Sequence, residues 1–165
     1  MKELLRKKLL KMAELDQKMR ASSVWDIKID LRNTIVFKKI INTYGWPDKT
    51  VVGHDGSEAA WLIAQHADHD ISFQKKCLKL MRQKSGSVSP IQIAYLSDRV
   101  NVNLKRPQYY GTQFYFNKKK QLLVPRPIAN KKLLDTKRKK IGLESFTIYQ
   151  KRLQDKNRKL KKNSI

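Results

Sequence analysis

Residues 59–70, AAWLIAQHADHD, end an apolar helical run in Gln65, His66, Asp68, His69 and Asp70, five hydrogen-bonding side chains where a single cap would serve. An imidazole exchanges a proton near neutral pH, and a neighbouring carboxylate decides which ring nitrogen carries the hydrogen. His66 is therefore the candidate general acid or base, with Asp68 or Asp16 to orient it. On a helix over 57–69, Ala59, Leu62, Ile63 and His66 share one face, and Trp61, Gln65 and Asp68 share the next. His66 then points into or along the core, where a ring serving only as a satisfied hydrogen-bonding group is the plainer reading. His66 and Asp70, four apart, could face one ion, with His54 and Asp55 from the preceding loop as further donors. Helical zinc sites use two histidines at that interval, which this chain lacks, and Asp70 suits a plain N-cap. The expectation is no metal and no cofactor.

Other residues combine charge with an apolar setting. Asp16 interrupts the stripe Leu5, Leu9, Met12 and Met19, and Arg20 one turn later can pair with it. Asp98 and Arg99 sit mid-helix beside Leu96 and Val100, as a structural ion pair or as a planar fork able to clamp a carboxylate or phosphate. Gln108, Tyr110, Thr112 and Gln113 surround Gly111, where such groups either bind a ligand or tie down a loop. The lone Cys77 lies in a row with Phe73, Leu80 and Met81 and reads as packing. One cysteine excludes an internal disulfide and a cysteine zinc cluster. Glycine-rich phosphate loops and nucleophile elbows are not present either.

The elements that must hold these residues follow from periodicity and punctuation. Helices are expected over 3–20 and 26–43, the second with Ile29, Val36, Ile40 and Ile41 inward, ending at Tyr44-Gly45-Trp46-Pro47. A loop is expected from there to Gly56. Asp70 caps a fourth helix over 71–84, and Ser89-Pro90-Ile91-Gln92 opens a fifth that turns Ile93, Leu96, Val100 and Leu104 inward. GTQFYF and QLLVP flank Asn117-Lys118-Lys119-Lys120 as a short hairpin near 112–124, and a last helix runs over 143–162. The predicted fold is mainly α, a single-domain bundle of about five to six helices with that one hairpin. The domain spans 1–154, and 155–165 forms a basic, disordered tail.

At 165 residues and 40% hydrophobic content the chain can bury a core, and it has no apolar run of the roughly 18 to 20 residues that cross a bilayer. A cytoplasmic protein without membrane association is the expectation. The net charge of +23, from 37 Lys and Arg against 14 Asp and Glu, attracts polyanions in a salt-dependent way. Lysines make up 27 of the 37, a bias that genome composition can produce without selection for binding. If nucleic acid is a partner, Lys118, Lys119 and Lys120 beside Tyr109, Tyr110, Phe114, Tyr115 and Phe116 are candidates, together with Lys151, Arg152 and Lys159.

Seven segments in order, Asp16-Gln17-Lys18-Met19-Arg20, Gly45-Trp46-Pro47, Ala59 to Asp68, Phe73 to Met81, Asp98-Arg99-Val100, Tyr110 to Gln113 and Pro125 to Ile128, resemble a bacterial family of unknown function. The match runs over roughly residues 4–150 and leaves the lysine-rich end outside it. The resemblance implies no reaction. It does imply that Asp16, Gln17, Arg20, Gln65, His66, Asp68, Asp98, Arg99, Gln108, Tyr110, Thr112 and Gln113 belong together. The expected outcome is one polar pocket among helices one, three and five, roofed by 108–113, that binds a small ligand or peptide. In it His66 acts as acid or base, and Arg99 with Gln113 holds an anionic or amide-bearing group. A nucleic-acid-binding module and a purely structural hydrogen-bond network are the other two readings.

Overall fold

The computed structural model describes residues 2–22 and 26–162, with side chains described as far as residue 158. In chain order the elements are α1 (Lys2–Ala21), α2 (Ile27–Tyr44), α3 (Lys49–Gln65), α4 (Ile71–Gln83), α5 (Pro90–Asn103), β1 (Phe114–Asn117), β2 (Leu122–Pro125), α6 (Leu134–Lys140) and α7 (Phe146–Lys162). The protein is mainly helical, with seven helices and one two-stranded antiparallel sheet among the described residues. The chain forms two compact units, residues 1–96 and 97–165, with the boundary inside α5. No described helix is long and apolar enough to cross a membrane.

In the first unit α1 packs against α3 and α2. Its buried residues are Leu5, Leu9, Met12, Asp16 and Met19, the stripe that helical spacing predicts, with the aspartate in the middle of it. α2 starts at Asp26, whose carboxylate accepts from the Lys28 N–H, and buries Asp30, Asn33, Thr34, Phe37, Ile40 and Ile41. Of the residues expected inward, Ile29 and Val36 are half-buried instead. Gly45, at φ +70°, stops the helix and donates its N–H to the Ile41 carbonyl. Trp46 is buried edge-on to Phe37, and Phe37 edge-on to Phe73.

The expected loop over 47–56 is instead the start of α3. Asp48 caps it through the Thr50 N–H at 2.9 Å, and the helix carries on through a kink at Gly53 (φ +74°, ψ 174°). The glycines read as loop punctuation mark a break between two helical stretches. α3 ends earlier than expected, at Gln65, because residues 66–70 form a turn that opens α4 with Asp70 as N-cap (Phe73 N–H to Asp70 Oδ1, 2.9 Å). Leu96 and Val100 of α5 are buried as expected, whereas Ile93 and Leu104 are half-buried.

In the second unit β1 and β2 pair with Phe114 opposite Pro125 and Asn117 opposite Leu122, starting two residues inside the predicted 112–124 and ending one residue beyond it. α7 packs against β2, and its buried Tyr149 meets Phe114 at 5.7 Å. α7 runs on into the stretch read as a tail. α6 has no counterpart in the sequence reading, since only Leu134 and Arg138 of its seven residues are buried and no apolar stripe marks it.

Candidate functional site

His66 follows the last residue of α3, at the C-cap, with Asp16 of α1 against its ring. Asp16 Oδ1 and Oδ2 lie 2.8 and 2.9 Å from His66 Nδ1. The same carboxylate accepts from Gln17 Nε2 (2.7 Å) and from Arg20 Nε (3.1 Å). Arg20 then reaches across to Asp30 of α2 with Nη2, at 2.8 and 3.0 Å from its two oxygens. Asp16 is only 1% exposed, Arg20 21% and His66 15%.

The electrostatics bear on which atom carries the hydrogen between Asp16 and the ring. Burial pushes the Asp16 carboxyl up, but the hydrogen bond and positive charge of His66, the Gln17 hydrogen bond and the Arg20 charge together hold it below the usual carboxylate range. Asp16 thus has no proton to give, and the hydrogen between it and the ring belongs to Nδ1. Arg20 Nε–H also lies 2.9 Å from Nδ1, but a nitrogen that donates to Asp16 cannot accept in that plane. We therefore read the Arg20 Nε–H as bonded to Asp16 Oδ1, with its distance to Nδ1 a close contact. The lone pair of a neutral ring is then on Nε2, which has no hydrogen-bond partner among the described residues. Asp30 goes the other way: burial, reinforced by the Asp16 charge, raises its carboxyl against the pull of Arg20.

Local structure positions this group. Asn33 Nδ2 donates to the Met12 carbonyl (3.2 Å), tying α2 to α1 one turn before Asp16. Gln74, fully buried on α4, donates from Nε2 to the carbonyls of Ala64 (3.3 Å) and Gln65 (3.1 Å). Those carbonyls, near the helix end, get a side-chain donor, and the residue after them, His66, is held in place. Gln65 itself is buried, its amide oriented so that the oxygen accepts from Trp61 Nε1 (3.2 Å) and the Leu96 N–H (2.7 Å).

A second polar network belongs to the second unit. Asp98 is completely buried and accepts from the N–H groups of Tyr109 (2.7 Å), Tyr110 (3.1 Å) and Thr112 (3.0 Å), and from Thr112 Oγ1 (3.0 Å). Burial pushes its carboxyl up, and the four donors oppose the shift. Gln108 closes the loop from the other side, donating to the carbonyls of Gln113 (3.0 Å) and Arg126 (2.9 Å) and accepting from the Gln113 N–H (2.8 Å). Gly111 at φ +67° is required there, since a Cβ would fall 2.7 Å from the Phe146 ring. Arg138 is fully buried below the loop, donating to the carbonyls of Tyr110 (2.5 Å) and Glu144 (2.8 Å) and lying over the Tyr149 ring.

Of the twelve residues expected to act together, Asp16, Gln17, Arg20 and His66 meet in the first network. Asp98, Gln108, Thr112, Gln113 and the Tyr110 backbone meet in the second. Arg99 Nη1 approaches Gln113 Oε1 at 3.5 Å, the outer limit of a hydrogen bond. Asp68 is exposed and accepts from Gln74 (3.1 Å), so the carboxylate on the His66 Nδ1 edge is Asp16. Asp55 is paired with Arg6 (2.9 Å), which holds its carboxyl down to about 2, and Asp70 pairs with Lys38. Among the described residues no three His, Cys, Asp or Glu side chains group to hold a metal ion. Lys118, Lys119 and Lys120 are exposed on the hairpin turn, as is Lys151 on α7; Arg152 is held by Glu144 at 2.5 Å, and the Lys159 side chain lies outside the described residues.

Asp30, Gln74 and Arg138 were missed. Asp30 shares helical spacing with Phe37, Ile40 and Ile41, a signal that was available. Gln74 sits likewise among Phe73, Cys77 and Leu78. Arg138 lies in the run KRKK, where nothing in the sequence separates it from its solvated neighbours.

A family model matches residues 3–162, almost the whole chain. The chain belongs to DUF6624, a family of unknown function. Nothing matches it among curated proteins or among solved structures. Membership in DUF6624 therefore brings no reaction with it, and the functional reading rests on the geometry above.

Proposed function

We propose that the first unit carries an acid–base site centred on His66, in a small enzyme or ligand-binding domain. The single observation that supports it is the 2.8 Å contact of His66 Nδ1 with the buried, ionised Asp16, which leaves Nε2 as the basic nitrogen. In this reading Nε2 takes a proton from a bound hydroxyl, amide or water, and Asp16 stabilises the imidazolium that forms. Arg20 is a positioning residue: bonded to Asp16 and Asp30 together, it keeps the carboxylate aimed at the ring. A ring used only as core packing would have no need of an ionised carboxylate, because burying that charge is costly unless it is fully paired.

The test joins spectroscopy and turnover. In 15N NMR of the full chain at neutral pH, His66 is expected as the Nδ1–H tautomer, and Asp16→Asn is expected to disturb that preference. Screened against ester, amide and phosphoester substrates, the wild type is expected to turn over or bind at least one. His66→Gln then loses that property by about a hundredfold or more with its melting temperature nearly unchanged. A His66→Gln protein that only melts lower, with no ligand found for the wild type and an Nε2–H tautomer, would mean that the network is structural.

A further inference from the structure

The two units differ sharply in charge. Residues 97–165 hold 20 Lys and Arg against 4 Asp and Glu, a net of +16, whereas residues 1–96 hold 17 against 10, a net of +7. All four acids of the second unit are engaged within it. Asp98 is buried on its loop, Asp135 accepts from the Phe146 N–H, Glu144 holds Arg152, and Asp155 faces Arg158. Sixteen positive charges are left after they are counted.

That field has a shaped focus. Beyond the end of α5, Asn103, Lys105, Arg106 and Pro107 face Arg126 and Pro127 across a cleft of about 360 Å³. Lys105, Arg106 and Arg126 are exposed, and no carboxylate pairs with them among the described residues. Two prolines stiffen the walls. Arg126 links the cleft to the outer face of the hairpin: its backbone N–H extends the ladder to the Gln113 carbonyl (3.0 Å), and its guanidinium lies 4.7 Å from the centre of the Tyr115 ring. Tyr115 is 38% exposed, Phe116 beside it 37%, and Tyr109, under Lys137, 47%. Cations without a carboxylate partner, in a concave groove next to solvent-exposed aromatic rings, match what an unpaired polynucleotide needs. Its phosphates find charge, and its bases find rings to stack on. A duplex would leave the rings idle, since its bases are already stacked.

We propose that the cleft of Lys105, Arg106 and Arg126, with Tyr115 at its edge, binds the phosphate backbone and bases of single-stranded nucleic acid. This surface is separate from Lys118, Lys119 and Lys120 of the hairpin turn, which do not line the cleft. It is also independent of the acid–base reading of His66.

The test uses the full chain with fluorescent homopolymers of about twelve nucleotides, RNA and DNA in parallel arms, plus a duplex and heparin as controls. Single strands are expected to bind more tightly than the duplex. Replacing Lys105, Arg106 and Arg126 together by Gln is expected to weaken binding at least tenfold and to reduce the slope of log K against log salt by roughly 2, at unchanged melting temperature. Tyr115→Leu is expected to cost about tenfold without changing the slope. A preference for RNA over DNA would point to recognition of the 2′-hydroxyl; equal affinity would point to the shared backbone, and either supports the site. The proposal is overturned if no single strand binds, if heparin or duplex binds as well as the single strands, or if the triple variant binds like wild type. It is equally overturned if Lys118, Lys119 and Lys120 changed to Gln lose more affinity than the cleft variant.

Discussion

Asp98 in the second unit and Asp16 in the first are both almost completely buried, and the two are used in opposite ways. Asp98 in the second unit receives three backbone N–H groups and a hydroxyl from one loop, so its charge is spent on holding that loop. Asp16 in the first unit receives side chains only, one of them an imidazole that can carry a proton. Their shifts run in opposite directions: burial wins at Asp98 and raises it, whereas the donors win at Asp16 and lower it. A buried acid is therefore not by itself a sign of chemistry. What its partners can do with a proton decides the matter.

The largest expected effect breaks the loop. Asp98→Ala leaves the N–H groups of Tyr109, Tyr110 and Thr112 buried without their acceptor and should cost roughly 3 kcal/mol or more, read by denaturant unfolding. Gln74→Leu comes next, at about 1–3 kcal/mol, because the Ala64 and Gln65 carbonyls lose a donor. It should also shift the His66 ring resonances in NMR, which a merely local loss on α4 would not do.

A subtler pair of measurements sharpens the contrast through pH. Asp16, lowered in the fold, stabilises above the ordinary carboxylate range and loses that contribution as pH falls through its depressed value. Asp98, raised, does the reverse: stability falls as pH climbs from the ordinary range through its elevated value. Asp16→Asn should therefore flatten the acid-side loss of stability, and Asp98→Asn should remove a decline on the higher-pH side. Identical changes in the two profiles would defeat the comparison.

Much of the scaffold was legible locally. The α1 stripe predicted the burial of Asp16 and its pairing with Arg20, because i, i+4 spacing on a helix is a property of the chain alone. Asp70 as an N-cap and the stop at Gly45 follow from single-residue chemistry in the same way. The end of α3 was not legible. The residues 57–69 look continuously helical, and the early stop at Gln65 goes with Gln74, nine positions on, donating to the last carbonyls. The kink at Gly53 was hidden for a related reason, since a glycine can end a helix or join two, and the neighbouring packing chooses.

The linear order of residues thus determined α1, α2, α4, α5 and α7, the α1 stripe, the Asp70 cap and the excess of positive charge, which depend on neighbours a few positions away or on composition alone. Only the tertiary structure decided that Asp16, not Asp68, meets the His66 ring fifty residues along the chain. It likewise decided that Asp30 joins Arg20 and that Arg138, alone in a basic run, turns inward. Such pairings are fixed by helix-on-helix packing, which brings together distant side chains whose charges must then be matched away from water.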